Sequence, residues 1–481
     1  MTTATREPIA VSPEIDEQPS WGALFVVLTG VFITVLDFFI VNVGIPSMQA
    51  DLHAGPAAVQ FIVAGFGVAI ASCLITGGRL GDIYGRRKLF GIGTALFTVA
   101  SAACGFAPTA GTLIAARVLQ GAAAALLTPQ VLAILGTVYT GHRRAKAFSA
   151  YGLVLGLAAV FGQLIGGVLI TADVAGTGWR SIFLINIPFG VLTLVLLRRL
   201  VPESRVEGQS RLDLIGTVLV TAGLTAIVLP LVEGRQQGWP AWTWLCLAAA
   251  LPLLAGFAAY QHRLGSRAGS PLIDLSLFGE RVFSVGLMTV LAYFLEMSSF
   301  FLVLALYLQQ GRSLSALDSG IVFGIIGAGF FIASAVVPRI APRLGRQIIA
   351  VGALVQAIGY GVVAEVVSRI GVGGNVGELA PGLLIAGLGI GLIAAPLPSI
   401  VLAGVAPRHA AAASGVLSTA QQGGGAIGVA LIGIVFYNAL GTGVTGSAVG
   451  HAFAVSLVVM VGLSVAVAAL VQFMPRSRPS A

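Results

Sequence analysis

Gly78-Arg79-Leu80-Gly81-Asp82-Ile83-Tyr84-Gly85-Arg86-Arg87-Lys88 is a short basic stretch between two apolar ones. A weaker copy, Pro338-Arg339-Ile340-Ala341-Pro342-Arg343-Leu344-Gly345-Arg346-Gln347, follows at an offset of 260, with Arg79, Gly85 and Arg86 recurring as Arg339, Gly345 and Arg346. A second echo pairs Gly162-Gln163-Leu164-Ile165-Gly166-Gly167 with Gly424-Gly425-Ala426-Ile427-Gly428 at nearly the same offset. Chance similarity between glycine-rich segments explains either match alone. Their agreement in offset predicts two duplicated halves.

Cutting the chain at its charged and Gly/Pro-rich breaks leaves fourteen apolar segments. The first seven are 22–48, 57–77, 89–107, 111–138, 147–171, 180–200 and 212–233. The others are 241–261, 282–309, 318–338, 347–369, 380–404, 411–437 and 450–474. A helix of roughly 20 apolar residues crosses the hydrocarbon core, where lipid offers the backbone no hydrogen-bond partner. With 57% hydrophobic and only 9% charged residues, the chain has too few charges for a soluble protein of this length. The prediction is an all-α polytopic membrane protein.

Charge orients it. Twenty-one of the 26 Lys and Arg fall in alternate breaks, on one side. Arg180, Arg235, Arg312 and Arg369 fall on the other, and Arg117 lies inside a segment. This bias predicts that both termini and the Gly78–Lys88 loop face the cytoplasm. The formal net charge of +8 therefore reflects topology. Nucleic-acid binding is not expected, because the basic loops are short, scattered and without interleaved aromatics. The first residues are polar, with Glu7, Glu14, Asp16 and Glu17, and lack the form of a cleaved signal, so helix 1 is read as an uncleaved insertion signal. Cys73, Cys104 and Cys246 fall in the spans, as expected of free thiols rather than disulfides or a metal site.

If helices 1–6 match helices 9–14, helices 7 and 8 form an inserted hairpin. The expected organisation is a tail (1–21), a six-helix half (22–200), the insert with its connections Pro202–Arg211 and His262–Arg281 (201–281), a second half (282–474) and a tail (475–481).

Charges within the spans are the sharpest functional signal. Asp37 lies near the middle of helix 1, and Glu296 near the centre of helix 9. An ionised side chain at that depth costs several kcal/mol unless it meets water, a cation or a proton. Helices 1 and 9 open their halves, so the repeat predicts both acids around one central cavity. Arg117, about two turns into helix 4, is the natural partner of Asp37. The alternative for each acid is a static buried network. Glu365, four residues before Arg369 at a helix end, reads as an interfacial ion pair, and Glu233 as a loop-flanking charge.

The loop Gly78–Lys88 resembles the signature loop of the major facilitator superfamily. Its glycines permit a tight turn and close helix contact, while Asp82 can accept hydrogen bonds at a helix N-terminus. Leu36-Asp37, Val41-Asn42-Val43 and Pro46 resemble the first-helix motif of its drug:proton antiporters. Arg117-Val118-Leu119-Gln120-Gly121 is similar to their helix 4 motif, and Gly152, Gly156, Gly162, Gly166 and Gly167 to their helix 5 antiporter motif. Trp179-Arg180, Phe183-Leu184-Ile185-Asn186 and Pro188 resemble the start of helix 6 in the fourteen-helix branch. Two positions depart: Gln163 stands where helix 5 usually has Pro, and Phe39 replaces the usual Thr after Asp37.

The resemblance implies two pseudo-symmetric six-helix halves plus the hairpin. It implies a proton-coupled exporter of lipophilic, drug-like or natural-product molecules in a bacterial cytoplasmic membrane. An exporter dedicated to one metabolite is the alternative. Proton coupling would fall to Asp37, Glu296 and Arg117. Gly78, Arg79, Gly81, Asp82, Gly85 and Arg86 would form a conformational latch, with Asp82 meeting the start of helix 13 near His409. Arg87 and Lys88 read better as positive-inside anchors. Phe38, Phe39, Gln120, Gln163, Tyr293, Phe294 and Phe300 are the expected cavity residues, suited to lipophilic compounds, cations included. The expected partners are a small-molecule substrate, protons and lipids, with a monomeric carrier. No cofactor is expected, since no phosphate-binding loop is present to use ATP. An enzyme would need a nucleophile and base or metal ligands within the helices. The histidines, His53, His142, His262, His409 and His451, sit in loops or at helix edges without ligand spacing.

Overall fold

The computed structural model describes residues 20–204, 213–234, 237–266, 275–403, 405, 410–441 and 445–475. Residues 1–19 and 476–481 of the tails, the central parts of the insert's connections and His409 lie outside the described residues. Among the described residues run fourteen long helical segments. The first six are α1 (Trp21–Leu52), α2 (Pro56–Tyr84), α3 (Arg86–Gly105), α4 (Ala110–Val138), α5 (Gly141–Ala172) and α6 (Gly178–Leu200). The insert holds α7 (Leu214–Glu233) and α8 (Ala241–Ser266). The last six are α9 (Arg281–Leu306), α10 (Ala316–Leu344), α11 (Gln347–Ile370), α12 (Val376–Leu402), α13 (Ala410–Leu440) and α14 (Gly446–Gln472).

Eleven helices are long and apolar enough to cross a membrane unbroken, α2 and α5 qualify as pairs bent by 49° and 41°, and α7 supplies the shorter apolar helix Ile215–Leu231. That agrees with the fourteen segments of the sequence. The helices begin where a side chain can satisfy free amides. Ser20, Thr109, Asp213, Ser315 and Thr445 cap α1, α4, α7, α10 and α14, Thr109 through a reciprocal box with Thr112.

The repeat is visible in the packing. α1 lies on α5 and α6, α2 and α3 both lie on α4, and α3 touches α6. Adding eight to each number reproduces the second half: α9 on α13 and α14, α10 and α11 on α12, α11 on α14. Its turns repeat too. Gly85 (φ 103°) joins α2 to α3 and Gly345 (φ 53°) joins α10 to α11, both in conformations that L side chains rarely adopt.

The halves meet through two symmetry-related seams, α5 against α10 and α2 against α13. α5 serves two partners at once. Gly162 and Gly166 face Leu36 and Ile40 of α1; Gly152, Gly156 and Gly167 face Ala395, Phe330 and Ala316 of the other half. A Cβ on Gly167 would lie 2.5 Å from the Ala316 carbonyl oxygen, and one on Gly320 only 2.9 Å from Leu164 Cα. Spacings of four and eleven residues put each set on one helical face, so the backbones approach directly. The missing proline at Gln163 does not leave α5 straight. It breaks between Ala159 and Phe161, amid these glycines.

The insert is packed onto the bundle. The Ser72 and Thr225 hydroxyls are 3.0 Å apart, Thr221 donates to the Ser72 carbonyl at 2.8 Å, and Leu231 packs on Ala426 and Ala430 of α13. α7 therefore lies along the α2–α13 seam.

Candidate functional site

The first half encloses a charged network. Asp37 on α1 is fully buried and accepts hydrogen bonds from Arg117, from Gln120 Nε2 (2.8 Å) and from Asn186 Nδ2 (2.8 Å). Arg117 on α4 is equally buried, donates from Nε to the Ile62 carbonyl at 3.0 Å, and lies 4.3 Å over the Phe66 ring. The Ser101 hydroxyl of α3 accepts from both Gln120 (3.0 Å) and Asn186 (2.9 Å). Asp37 is thus tied to α4 and α6, with α3 behind them. Arg117 Nη2 and Asn186 Oδ1 remain buried without partners. Such a pair is self-consistent only while both charges persist: removing one partner of a buried ion pair strands the other at a cost of about 3–5 kcal/mol.

Glu296 occupies the matching place in the second half, 259 residues after Asp37 and on the first helix of its half. It is 1% exposed and accepts from the Ser464 hydroxyl of α14 and from Gln356 Nε2 of α11 at 3.2 Å. Gln356 also reaches the Tyr360 hydroxyl at 2.7 Å, and the Phe300 ring stacks 4.5 Å from Tyr360. No cation pairs with Glu296 among the described residues.

Between the halves lies a cavity. It is lined from α1 by Val31, Thr34, Val35, Phe38 and Phe39, from α4 by Thr128, and from α5 by Tyr151 and Leu155. The second half adds Phe294, Met297 and Ser298 from α9 and Gln421, Gln422 and Gly425 from α13.

These positions correct the expected cavity. Phe38, Phe39 and Phe294 line it. Gln120 belongs to the Asp37 network, Gln163 donates to the Phe39 carbonyl (3.0 Å), Tyr293 donates to the Ile390 carbonyl (3.2 Å), and Phe300 packs on Tyr360. Successive helix residues turn by about 100°, so Phe294 and Tyr293 cannot share a face. Nor does the cavity hold both acids. Asp37 and Glu296 each face the interior of their own half, and neither lines it. Sequence reading missed Asn186 and Ser101 as ligands of this network, although both are polar residues within apolar spans, which is the signal that marks Asp37. Thr128, Tyr151, Gln421 and Gln422 were missed because nothing in a linear pattern says which helix faces meet.

The basic stretch is also a built site, and helical rather than a loop: Gly78–Tyr84 continues α2, Arg86–Lys88 begins α3, and Gly85 alone is the joint. Arg86 donates to one Asp82 oxygen from Nη2 (2.8 Å) and Nε (3.2 Å), and to Thr137 at the end of α4 (3.1 Å). The Glu203 carboxylate accepts from the Arg87 and Lys88 amides at 2.9 and 3.2 Å, and the Ser204 carbonyl from the Arg86 amide at 2.9 Å. Glu203 therefore caps the N-terminus of α3, where an anion is favoured. The sequence places it only in a connection. Gly81 is backed by the Gln130 carboxamide, and Gly85 by Glu203. Gly77 is tighter than Gly78: a Cβ there would overlap the Ala125 carbonyl, whereas one on Gly78 would touch Pro129 at 3.5 Å. Arg79 keeps a buried Nε without a partner. The expected meeting of Asp82 with the start of helix 13 at His409 lies outside the described residues; the recorded partner of Asp82 is Arg86. Glu365 and Arg369 form the expected exposed pair at 3.5 Å.

Residues 27–429 match the family model of the Major Facilitator Superfamily. The chain belongs to that superfamily. It is therefore a multi-pass membrane carrier of small molecules and not an enzyme. A probable actinorhodin transporter of Streptomyces coelicolor is 38% identical over 462 residues, 92% of this chain and 79% of that protein. The cephamycin export protein CmcT of Amycolatopsis lactamdurans is 34% identical over 448 residues, 88% of this chain and 86% of that one. The solved structure of the proton:xylose symporter XylE, 15% identical, superposes with a TM-score of 0.65 over 95% of this chain and 96% of its own, which confirms the fold.

Proposed function

We propose that the chain is a proton-coupled exporter of lipophilic drug-like or natural-product molecules, working by alternating access in a bacterial cytoplasmic membrane. Asp37 with Arg117 supports this most. It is an ion pair held by three helices of one half, beside a cavity to which the same helix contributes Phe38 and Phe39. Protonating Asp37 neutralises one member of the pair and frees Arg117 to be satisfied differently, so the helices of this half prefer another arrangement. Substrate between Phe39 and Phe294 presses on the same helix. Occupancy and protonation would thereby oppose each other through α1. The export sense is supported by a relative named for export, CmcT, and by the α5 glycines, which allow the seam to slide.

In this reading the halves comprise 22–200 and 282–474, with 201–281 an insert and 1–21 and 475–481 tails. Both termini face the cytoplasm, where the Gly78–Lys88 loop latches the halves through Asp82. The carrier works as a monomer. Glu296 is a second protonatable acid.

Purified carrier in liposomes, given an imposed pH gradient and a chemically varied compound panel, tests the proposal. Gradient-driven movement of several unrelated lipophilic compounds, lost in Asp37→Asn while binding persists, is the expected result. A single responding compound favours the dedicated exporter. Undiminished gradient-driven transport by Asp37→Asn removes Asp37 from the mechanism.

A further inference from the structure

The central cavity has aromatic and polar walls. Among the described residues none that lines it is Asp, Glu, Lys, Arg or His. Asp37, the nearest acid in sequence to Phe38, is turned into its own half and already accepts from Arg117, Gln120 and Asn186. A charged ligand would leave water without gaining a counter-ion, a large desolvation cost for ring faces alone to offset.

Two polar groups on these walls are unsatisfied. Gln421 on α13 is 4% exposed and its Nε2 has no hydrogen-bond partner; Thr128 Oγ1 on α4 has none either. They come from opposite halves. By contrast, Thr34 on the same wall is satisfied by the Gly30 carbonyl at 2.8 Å. A buried donor without an acceptor is costly, and a ligand oxygen at this point relieves that cost. Around them Phe38 and Phe39 meet edge to face at 5.1 Å, with Phe294, Tyr151 and Met297 completing an apolar slot. Aromatic rings and a polarizable thioether favour flat ring systems.

We infer that this cavity selects neutral, planar aromatic molecules bearing a carbonyl oxygen, with Gln421 and Thr128 as the hydrogen-bonding pair that reads the oxygen. The inference rests on the export reading only for the cavity's purpose, since binding needs no gradient. Because the two groups sit on opposite halves, a bound carbonyl bridges the surfaces that separate during transport.

Equilibrium dialysis of the carrier in nanodiscs, against empty nanodiscs, tests it with three probes of similar size: fluorenone, its hydrocarbon fluorene, and the cation N-methylacridinium. Fluorenone should bind tightest. Gln421→Leu should weaken fluorenone by about threefold to tenfold, a lost hydrogen bond, while fluorene binding stays unchanged and shows that the slot is folded. Thr128→Val should weaken fluorenone in the same sense. Tightest binding of N-methylacridinium, equal loss of fluorenone and fluorene in Gln421→Leu, unchanged fluorenone binding in both variants, or no binding of any probe each overturns the inference. Proton-coupled export of other compounds in the liposome assay would survive all four.

Discussion

Asp37 and Glu296 are one structural position used twice. Each sits on the first helix of its half, each turns inward, and each is bound by the half's third and sixth helices or their neighbours. What differs is the counter-charge. Asp37 faces Arg117, whereas Glu296 faces a hydroxyl and an amide. Duplication supplies the same pocket in both halves, and one arginine makes the first an ion pair. A carboxylate beside a guanidinium is stabilised as an anion, while one held by Ser and Gln gains only hydrogen bonds, which the protonated form can also make. The two sites should therefore fail in different ways when altered.

The largest expected effect is from Arg117→Met. It strands Asp37 in the interior, and unfolding stability should fall by about 3–5 kcal/mol. The double variant Asp37→Asn/Arg117→Met should recover most of that loss without recovering gradient-driven transport. Thermal unfolding in detergent measures both, and equal destabilisation of single and double variants would break the ion-pair half of the comparison.

The repeated turns come next. Gly85→Ala and Gly345→Ala should each cost on the order of 1–3 kcal/mol, because both backbones occupy glycine-only conformations. Gly85→Ala should also depress transport more, since it pushes Glu203 away from the α3 amides. Comparable transport in the two variants would show that the Glu203 cap has no role beyond folding. Asp82→Asn should likewise impair transport while abundance stays near normal; accessibility labelling of the basic end should shift with it.

Glu296→Gln should move stability by only about 1 kcal/mol, since no cation is stranded. Proton release on adding substrate should fall in this variant and vanish in Asp37→Asn. Release equal to wild type in Glu296→Gln would make that acid a static element of its network. The smallest effect belongs to Arg369→Ala, which removes an exposed pair and should leave stability and transport unchanged.

Much of this was legible in the chain. Apolar segments of about 20 residues read as helices, because a helix satisfies its own amides in lipid and a barrel strand is only about half as long. The offset between Gly85 and Gly345 disclosed the repeat because both positions need a residue without a side chain. Asp37 and Arg117 stood out because charge at that depth is expensive enough to demand a partner, and Arg117 is the one cation away from the ends of the spans. The α5 glycines marked close approach, though not that they serve two different partners on two faces.

Facing was beyond the sequence. Whether Glu296 points to the cavity or into its own half depends on how α9 is rotated, and the bundle sets that by packing all six helices at once. A rotation of one residue, about 100°, would exchange the two surroundings with no change in hydropathy. Glu203 and Gln421 were hidden for the same reason. Each acquires its meaning from a helix more than a hundred residues away, the α3 N-terminus for one and α4 with Thr128 for the other. Composition and spacing determined that this chain spans a membrane as two related halves with a buried ion pair. Tertiary packing alone decided which polar groups are satisfied and which are left facing the space between the halves.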